Sequence, residues 1–243
     1  MTVATTYSSA ELGIDAPRVT VETDVSAGLP QVLIVGLPET AVRESRDRVK
    51  AAIKSSGFEF PSNRITVNLA PADLPKSGGR YDLAIALAIL AASKQLPIDE
   101  LRRYEVLGEL SLTGSVRSVS GVLPAALRNR ADDQRLVVPA SNGSEAAVSQ
   151  SNDILLATSL KQVTAHLSGH DALPCAIYAP PDNSHNCPLS IGDIKGQSNA
   201  KRALSIAAAG GHNLLMVGPP GTGKTMLASR LPREALIYCD IMA

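Results

Sequence analysis

An eight-residue stretch, Gly218-Pro-Pro-Gly-Thr-Gly-Lys-Thr225, constrains the fold of this chain more than any other feature. It matches the pattern G-x-x-x-x-G-K-[ST] in full, and apolar residues 213–217 come directly before it. Because such a loop connects a strand to a helix, we predict a buried strand over 213–217 and a helix after the loop. The chain should therefore contain the start of a P-loop fold.

The chemistry of this loop is the binding of a nucleotide triphosphate. Glycines let the backbone turn its N–H groups toward phosphate oxygens, and Lys224 should contact the β- and γ-phosphates. The Thr225 hydroxyl should ligate Mg²⁺, so ATP and Mg²⁺ are the expected cofactors. The alternative is an ordinary Gly/Pro turn. The predicted binding residues are Gly218, Pro219, Pro220, Gly221, Thr222, Gly223, Lys224, Thr225 and Met226.

Hydrolysis of the nucleotide needs further groups: a carboxylate for Mg²⁺, a residue that orients water, and an arginine for the transition state. Fewer than twenty residues follow Thr225 in this sequence. The segment that ends at Asp240 is only a faint match to a strand followed by an acid. We therefore predict no catalytic residue in this chain.

Upstream of the loop, strand-like and helix-like segments alternate along residues 1–170. Alternation of this kind predicts an α/β layer domain. Strands are predicted at 19–23, 32–35, 64–70, 135–138 and 153–157, with a strand pair or one bent strand over 105–112. Helices are predicted at 39–56, 82–93, 122–130, 144–149, 160–167 and 198–209.

Prolines divide this domain from the P-loop segment. Residues 171–189 contain Pro174, Pro180, Pro181 and Pro188, and proline removes backbone donors, so we predict a linker there. The predicted organisation is a domain over 1–170, a linker over 171–189 and an incomplete P-loop segment over 190–243.

Charge and cysteine content argue against several classes of protein. Lys plus Arg and Asp plus Glu are equal at 23 each, so no global field attracts nucleic acid or membrane. Three cysteines are too few for a disulfide framework, which favours a reducing cytoplasm. The apolar run 83–92 is about half of a bilayer span and should be a buried helix. We predict a cytoplasmic protein with no membrane partner and no secretory signal.

Several sequence blocks together resemble one family, the magnesium-chelatase-like AAA+ proteins of the ComM/YifB group. They occur in order and cover about residues 1 to 232: VGLP at 35, VNLAPADLPK at 67, GGRYDLAIA at 78, LGELSLTG at 107, DIKGQ at 193 and AAAGGHNLL at 207.

The resemblance implies an N-terminal domain with a fold like ribosomal protein S5 domain 2 and Lon protease, followed by the start of an AAA+ domain. It also implies ATP-driven branch migration of DNA in competence, by a homo-hexameric ring. Family members usually continue through a full AAA+ domain, whereas this sequence departs from them after residue 232. We therefore expect a truncated form, through a frameshift, a deletion or a short gene model, with at most nucleotide binding.

Two other functions compete with this interpretation. The chain could be a non-catalytic interaction domain with a relic P-loop. It could also be a Lon-like Ser–Lys protease, but alignment by eye places Arg80 at the nucleophile and Leu123 at the activating lysine. Ser77 and Lys76 are neighbours on an extended segment, where adjacent side chains point apart.

One basic stripe and a few scattered Cys and His residues give weaker signals. Helical spacing places Arg43, Arg46, Lys50 and Lys54 on one stripe that could contact DNA phosphates, although a solvated face is the simpler interpretation and no aromatic residue interleaves with it. Cys175, His185 and Cys187 fit no standard zinc spacing. His212 should have a packing or loop role.

Overall fold

The structure is a computed structural model that describes residues 2–129, 134–178 and 189–231. The chain divides into two compact units, Met1–Ala179 and Pro180–Ala243. The strands of the first unit are β1 (Thr2–Ser9), β2 (Arg18–Ser26), β3 (Gln31–Val35), β4 (Arg64–Ala70), β5 (Tyr104–Val106), β6 (Glu109–Leu110), β7 (Val116–Arg117), β8 (Arg135–Pro139) and β9 (Ile154–Ala157). Its helices are α1 (Thr40–Ser55), α2 (Asp82–Ala92), α3 (Ile98–Leu101), α4 (Val122–Asn129), α5 (Gly143–Ala147) and α6 (Leu160–Leu167).

One mixed sheet organises the first unit, with strand order β3-β4-β2-β1-β5-β8-β9. The pairs β1–β2 and β2–β4 are antiparallel. The pairs β3–β4, β1–β5, β5–β8 and β8–β9 are parallel. Strands β6 and β7 form a separate antiparallel pair. The segment 105–112, predicted as a strand pair or one bent strand, therefore contributes β5 to the large sheet and β6 to the small one. The sheet confirms the prediction of an α/β fold.

Helix α2 is the centre of the core. All eleven of its residues are buried, and it packs against β1, β2 and α1. The sequence predicted this helix because its apolar residues occupy every face. Across the described ranges, no helix combines the length and the apolar character that crossing a bilayer requires.

At β8, helices cover both faces of the sheet. On β8, Leu136 and Val138 pack in a cluster with α4 and α5, whereas Val137 belongs to the main core with α2 and α6. The two sets alternate because successive side chains of a strand point to opposite faces. This strand therefore has a continuous apolar sequence, as predicted for residues 135–138.

Strand β1 was missed by sequence analysis. Its buried side chains are small and mostly polar, including Ala4, Thr6 and Ser8, whereas Val3 is exposed. Thr6 Oγ1 donates to the carbonyl of Ala84 at 3.3 Å, so α2 lies close to this strand. Small side chains permit that approach, and they also remove the apolar alternation that marks a half-buried strand.

The C-terminal end of the first unit continues the sheet beyond β9. The N–H of Leu156 donates to Pro174 O at 2.8 Å, and the N–H of Ala176 donates to Ile154 O at 2.9 Å. These bonds involve residues within the predicted linker 171–189. Residues 179–188 of that segment lie outside the described residues.

The second unit contains α7 (Ser198–Gly210) and α8 (Lys224–Ala228), which confirms both predicted helices. The prediction of a buried strand over 213–217 is wrong. Leu215 and Val217 are each 86 % exposed, and within residues 189–231 nothing pairs with this segment. A strand needs ladder hydrogen bonds from a neighbour, and the described part of this unit supplies none.

Candidate nucleotide-binding site

The predicted P-loop is a turn that leads directly into α8. Gly223 precedes the helix with a φ of 82°, in the left-handed region where a side chain is strained. A Cβ atom at this position would also lie 3.4 Å from Met226 Cε and 3.5 Å from Gln197 Nε2. These are ordinary contact distances to flexible side chains, so it is the positive φ that favours glycine at this position.

Lys224 returns from the first turn of α8 to the loop that precedes it. Its ammonium donates to Gly218 O at 2.7 Å and to Pro219 O at 2.8 Å, and lies 3.4 Å from Thr222 Oγ1. Thr222 Oγ1 itself donates to Pro219 O at 2.9 Å. The loop is thus folded around a cation that no carboxylate of the described residues neutralises.

The other predicted ligands lie in the same loop and in the first turn of α8. Thr225 and Met226 are exposed in the first turn of α8. The Thr225 hydroxyl makes no hydrogen bond with any described residue, so it is available as a ligand. Pro220 and Gly221 form the exposed tip of the loop.

Gln197 contacts the loop, although the sequence did not predict it as a site residue. Its side chain donates from Nε2 to Thr222 O at 3.3 Å. Its backbone is left-handed, with a φ of 54°, and it precedes α7. A capping box between Ser190 and Asp193 shapes the segment that leads to it. This contact joins residues 25 apart, which local sequence patterns do not reveal.

Two further candidate residues lie near the loop in sequence, His212 before it and Asp240 after it. His212 packs its ring against Gly210, and its N–H donates to Ala207 O at 2.9 Å, which agrees with a packing role. Asp240, the faint candidate for the Mg²⁺ carboxylate, lies outside the described residues.

The possible metal ligands are not brought together by the part of the chain that is described. Cys175 is an exposed free thiol, whereas His185 and Cys187 lie outside the described ranges. Within those ranges, no three His, Cys, Asp or Glu side chains form a group that could hold a metal ion.

The first unit has a cleft of about 200 Å³ where the protease alternative would place its chemistry. Ser77, Arg80 and Ser120 line it. Arg80 is 4 % exposed, and its burial lowers the pKa of the guanidinium although Tyr81 and Glu11 oppose that effect. Its Nη1 lies 3.4 Å from Glu11 Oε2, which also accepts from Ser120 Oγ at 2.5 Å.

A Ser–Lys pair is not assembled in this cleft. Lys76 is fully buried, and its ammonium donates to the carbonyl of Pro71 rather than to Ser77. Burial lowers the pKa of this ammonium, while Asp73 raises it. Leu123, at the position aligned with the activating lysine, donates its backbone N–H to Glu145 Oε1 at 3.0 Å.

The described part of the chain is a mixed α/β unit and, in the second unit, a glycine-rich turn that leads into a helix. Residues 21–142 match the family model described as subunit ChlI of Mg-chelatase. Residues 190–237 match a second model, described as magnesium chelatase, subunit ChlI. The chain belongs to the magnesium-chelatase ChlI family.

Curated relatives match nearly the whole chain. The competence protein ComM of Haemophilus influenzae is 48 % identical over 235 residues, which is 95 % of this chain and 46 % of that protein. An uncharacterized protein YifB of Salmonella typhimurium is 49 % identical over 231 residues, with the same coverage. A Mycobacterium bovis protein is 44 % identical over 233 residues. The chain therefore spans about half the length of the curated relatives it matches.

Proposed function

We propose that the chain binds ATP with Mg²⁺ through residues 218–226. The observation that carries this proposal is the Lys224 ammonium, held inside the loop by the carbonyls of Gly218 and Pro219 at 2.7 and 2.8 Å. A cation in this position can exchange neutral carbonyl oxygens for anionic phosphate oxygens, which bind an ammonium more strongly because both partners are charged. The exposed Thr225 hydroxyl would hold Mg²⁺.

The residues around the loop fit a triphosphate. Lys224 supplies the positive charge, the glycines allow close approach of the backbone, and Gln197 holds the carbonyl of Thr222. Bound ATP would supply the phosphoryl group whose transfer can drive conformational work. We assign no hydrolytic step to the described residues, because they contain no acid beside the loop.

The wider proposal concerns the family to which the chain belongs. One relative is named a competence protein, and the family resemblance implies an ATP-driven motor that moves DNA branches as a homo-hexamer. We propose that the first unit, with its mixed sheet, has the fold of ribosomal protein S5 domain 2 and Lon protease. The cytoplasm is the compartment that suits both ATP and DNA.

Calorimetric titration of the full chain with ATP and Mg²⁺ tests the nucleotide proposal. We expect Lys224→Ala to weaken ATP binding at least tenfold, because the free energy of one lost charge-assisted hydrogen bond corresponds to about that change in affinity. The exposed Lys195 provides a control with the same charge change, and Lys195→Ala should bind as the original chain does. Equal and negligible heats for all three proteins would contradict the proposal.

That contradictory result would instead support an interaction module with a relic P-loop. The observation that favours this second candidate is the exposed apolar segment before the loop, where Leu215 and Val217 are each 86 % exposed. Labelling by a serine-reactive probe addresses the protease alternative. We expect no labelling, because the ammonium of Lys76 contacts Pro71.

A further inference from the structure

A groove of about 370 Å³ lies on the first unit between α1, the start of β3 and the loop after α1. Strand β3 is at the edge of the sheet, so none of the described strands closes this side. Volumes above about 300 Å³ are typical of ligand sites in proteins. The groove is therefore large enough for a small ligand or for one unit of a polymer.

Cations of α1 dominate the charge of this groove. Arg46, Lys50 and Lys54 line it at four-residue intervals, which confirms that they share one stripe of the helix. The side chain of Arg43, the fourth residue of the predicted stripe, lies outside the described side chains. Among the described residues of the lining, the one acid is Asp47, which lies 3.3 Å from Arg46 Nε in an exposed ion pair.

The two lysines have no such partner. Across the described side chains, neither Lys50 nor Lys54 forms an ion pair, and both are exposed. The whole sequence has a formal net charge of zero, so this excess of positive charge is a local feature. It would attract a negatively charged ligand at short range.

An aromatic ring lies beside these lysines. Phe60 is a partly buried residue that packs against the core, and Lys50 Nζ lies 5.7 Å from its ring centroid. Both residues line the groove. Because Lys50 is exposed, this cation–π contact is weak and can be displaced. A nucleobase that stacked on Phe60 would replace this contact and free Lys50 for a phosphate. Sequence analysis missed the ring because Phe60 follows the end of α1.

We propose that this groove binds single-stranded nucleic acid. Phosphates would contact Arg46, Lys50 and Lys54, and one base would stack on Phe60, which only an unpaired base can do. Polar Gln31 and Asn63 line the same groove and could contact base edges or sugars. An acidic peptide would satisfy the cations but would gain nothing from the ring. The groove deepens the proposed function by giving its DNA partner a surface.

Fluorescence anisotropy with a labelled single-stranded oligonucleotide tests the proposal on the full chain without ATP. Omitting ATP separates this test from nucleotide binding, so Lys224→Ala should bind the oligonucleotide as the original chain does. We expect log K to fall with log[salt], and Lys50→Gln/Lys54→Gln should reduce that slope by about 1.4, for two phosphate contacts. The double variant Lys161→Gln/Arg102→Gln removes equal charge elsewhere and should leave the slope unchanged.

A separate variant tests whether the Phe60 ring contributes to binding of the oligonucleotide. Phe60→Leu retains an apolar group and all cations, and we expect it to weaken binding about tenfold through lost stacking. A circular dichroism melt verifies that each variant is folded. Equal affinity of Phe60→Leu and the original chain, or tighter binding of polyglutamate than of the oligonucleotide, would overturn the proposal. A loss of affinity in the control double variant as large as in the groove variant would also overturn it.

Discussion

Arg48 and Asp82 form a two-point ion pair that joins α1 to the N-terminal end of α2. Arg48 Nε donates to Asp82 Oδ2 at 2.7 Å, and Nη2 donates to Oδ1 at 3.2 Å. The N–H of Leu110 donates to the same carboxylate at 3.2 Å, so the pair also fixes β6. The Asp82 side chain is fully buried, whereas that of Arg48 is 24 % exposed.

The carboxyl of Asp82 should make stability depend on pH. Burial raises its pKa from 3.8 to about 6, although Arg48 and the N–H of Leu110 oppose that rise. The folded state then holds a proton that the unfolded state has released, so the contribution is present below pH 3.8 and is lost as the pH rises through about 6. We expect a loss of about 3 kcal/mol over this window.

Urea unfolding of the original chain and of Asp82→Asn, measured between pH 4 and 7, checks this prediction. The amide does not titrate, so the free energy of unfolding of the original chain should fall relative to that of the variant as the pH rises. A difference that grows in the opposite direction would show that Arg48 outweighs burial in setting the pKa.

Loss of Arg48 alone should be costly. Arg48→Leu leaves the Asp82 carboxylate buried without its cation, and we expect about 3 kcal/mol of destabilisation at pH 7. Adding Asp82→Asn should recover much of this loss, because the buried charge is then absent. Arg46→Leu on the same helix is the control. Arg46 belongs to an exposed ion pair, and its removal should change the free energy of unfolding by less than about 1 kcal/mol.

Gly36, which follows β3, should not tolerate a side chain. Its φ is 100°, and a Cβ atom would lie 2.1 Å from the carbonyl oxygen of Leu69 in β4. We expect Gly36→Ala to destabilise the first unit by about 3 kcal/mol, because backbone rather than a flexible side chain blocks the space. Thermal or urea unfolding measures the change.

Gly13 provides the matched control for that clash. Its φ is also positive, at 61°, but a Cβ atom there would meet no atom within 4 Å. Gly13→Ala should therefore cost only the backbone strain, about 1 kcal/mol. Equal losses at Gly13 and Gly36 would mean that the contact with Leu69 is unimportant.

Gln197 should position the P-loop rather than bind the nucleotide itself. The variant Gln197→Glu keeps the shape of the side chain but cannot donate to Thr222 O. We expect ATP affinity to fall at least tenfold, because the variant loses this hydrogen bond and also places a negative charge beside the triphosphate. Gln162→Glu, on α6 of the first unit, is the control. Unchanged affinity in Gln197→Glu would remove Gln197 from the site.

Much of the fold was predictable because its signals are local. Helix α2 was identified from a run of apolar residues, and β8 from its continuous apolar sequence. Strand β1 was not, because the helix above it requires small side chains such as Ala4 and Ser8. The loop before α8 was recognised from its glycines, yet the strand expected before it has no neighbour among the described residues.

The contacts that complete the candidate sites join distant segments. Gln197 reaches Thr222 across 25 residues, and Phe60 enters the groove of α1 from the loop beyond that helix. Spacing rules describe neighbours within one helix or strand, so they could place Lys50 and Lys54 on one face but could not supply the ring. Tertiary structure was needed for both contacts.

Hydrogen exchange of the full chain with and without ATP and Mg²⁺ tests nucleotide binding most directly, because it reports on the loop residues themselves. We expect saturating nucleotide to slow amide exchange in residues 218–226 at least tenfold, while exchange in α2 is unchanged. Lys224→Ala should abolish this protection. Identical exchange of the loop with and without nucleotide would contradict the assignment of residues 218–226 as a triphosphate site.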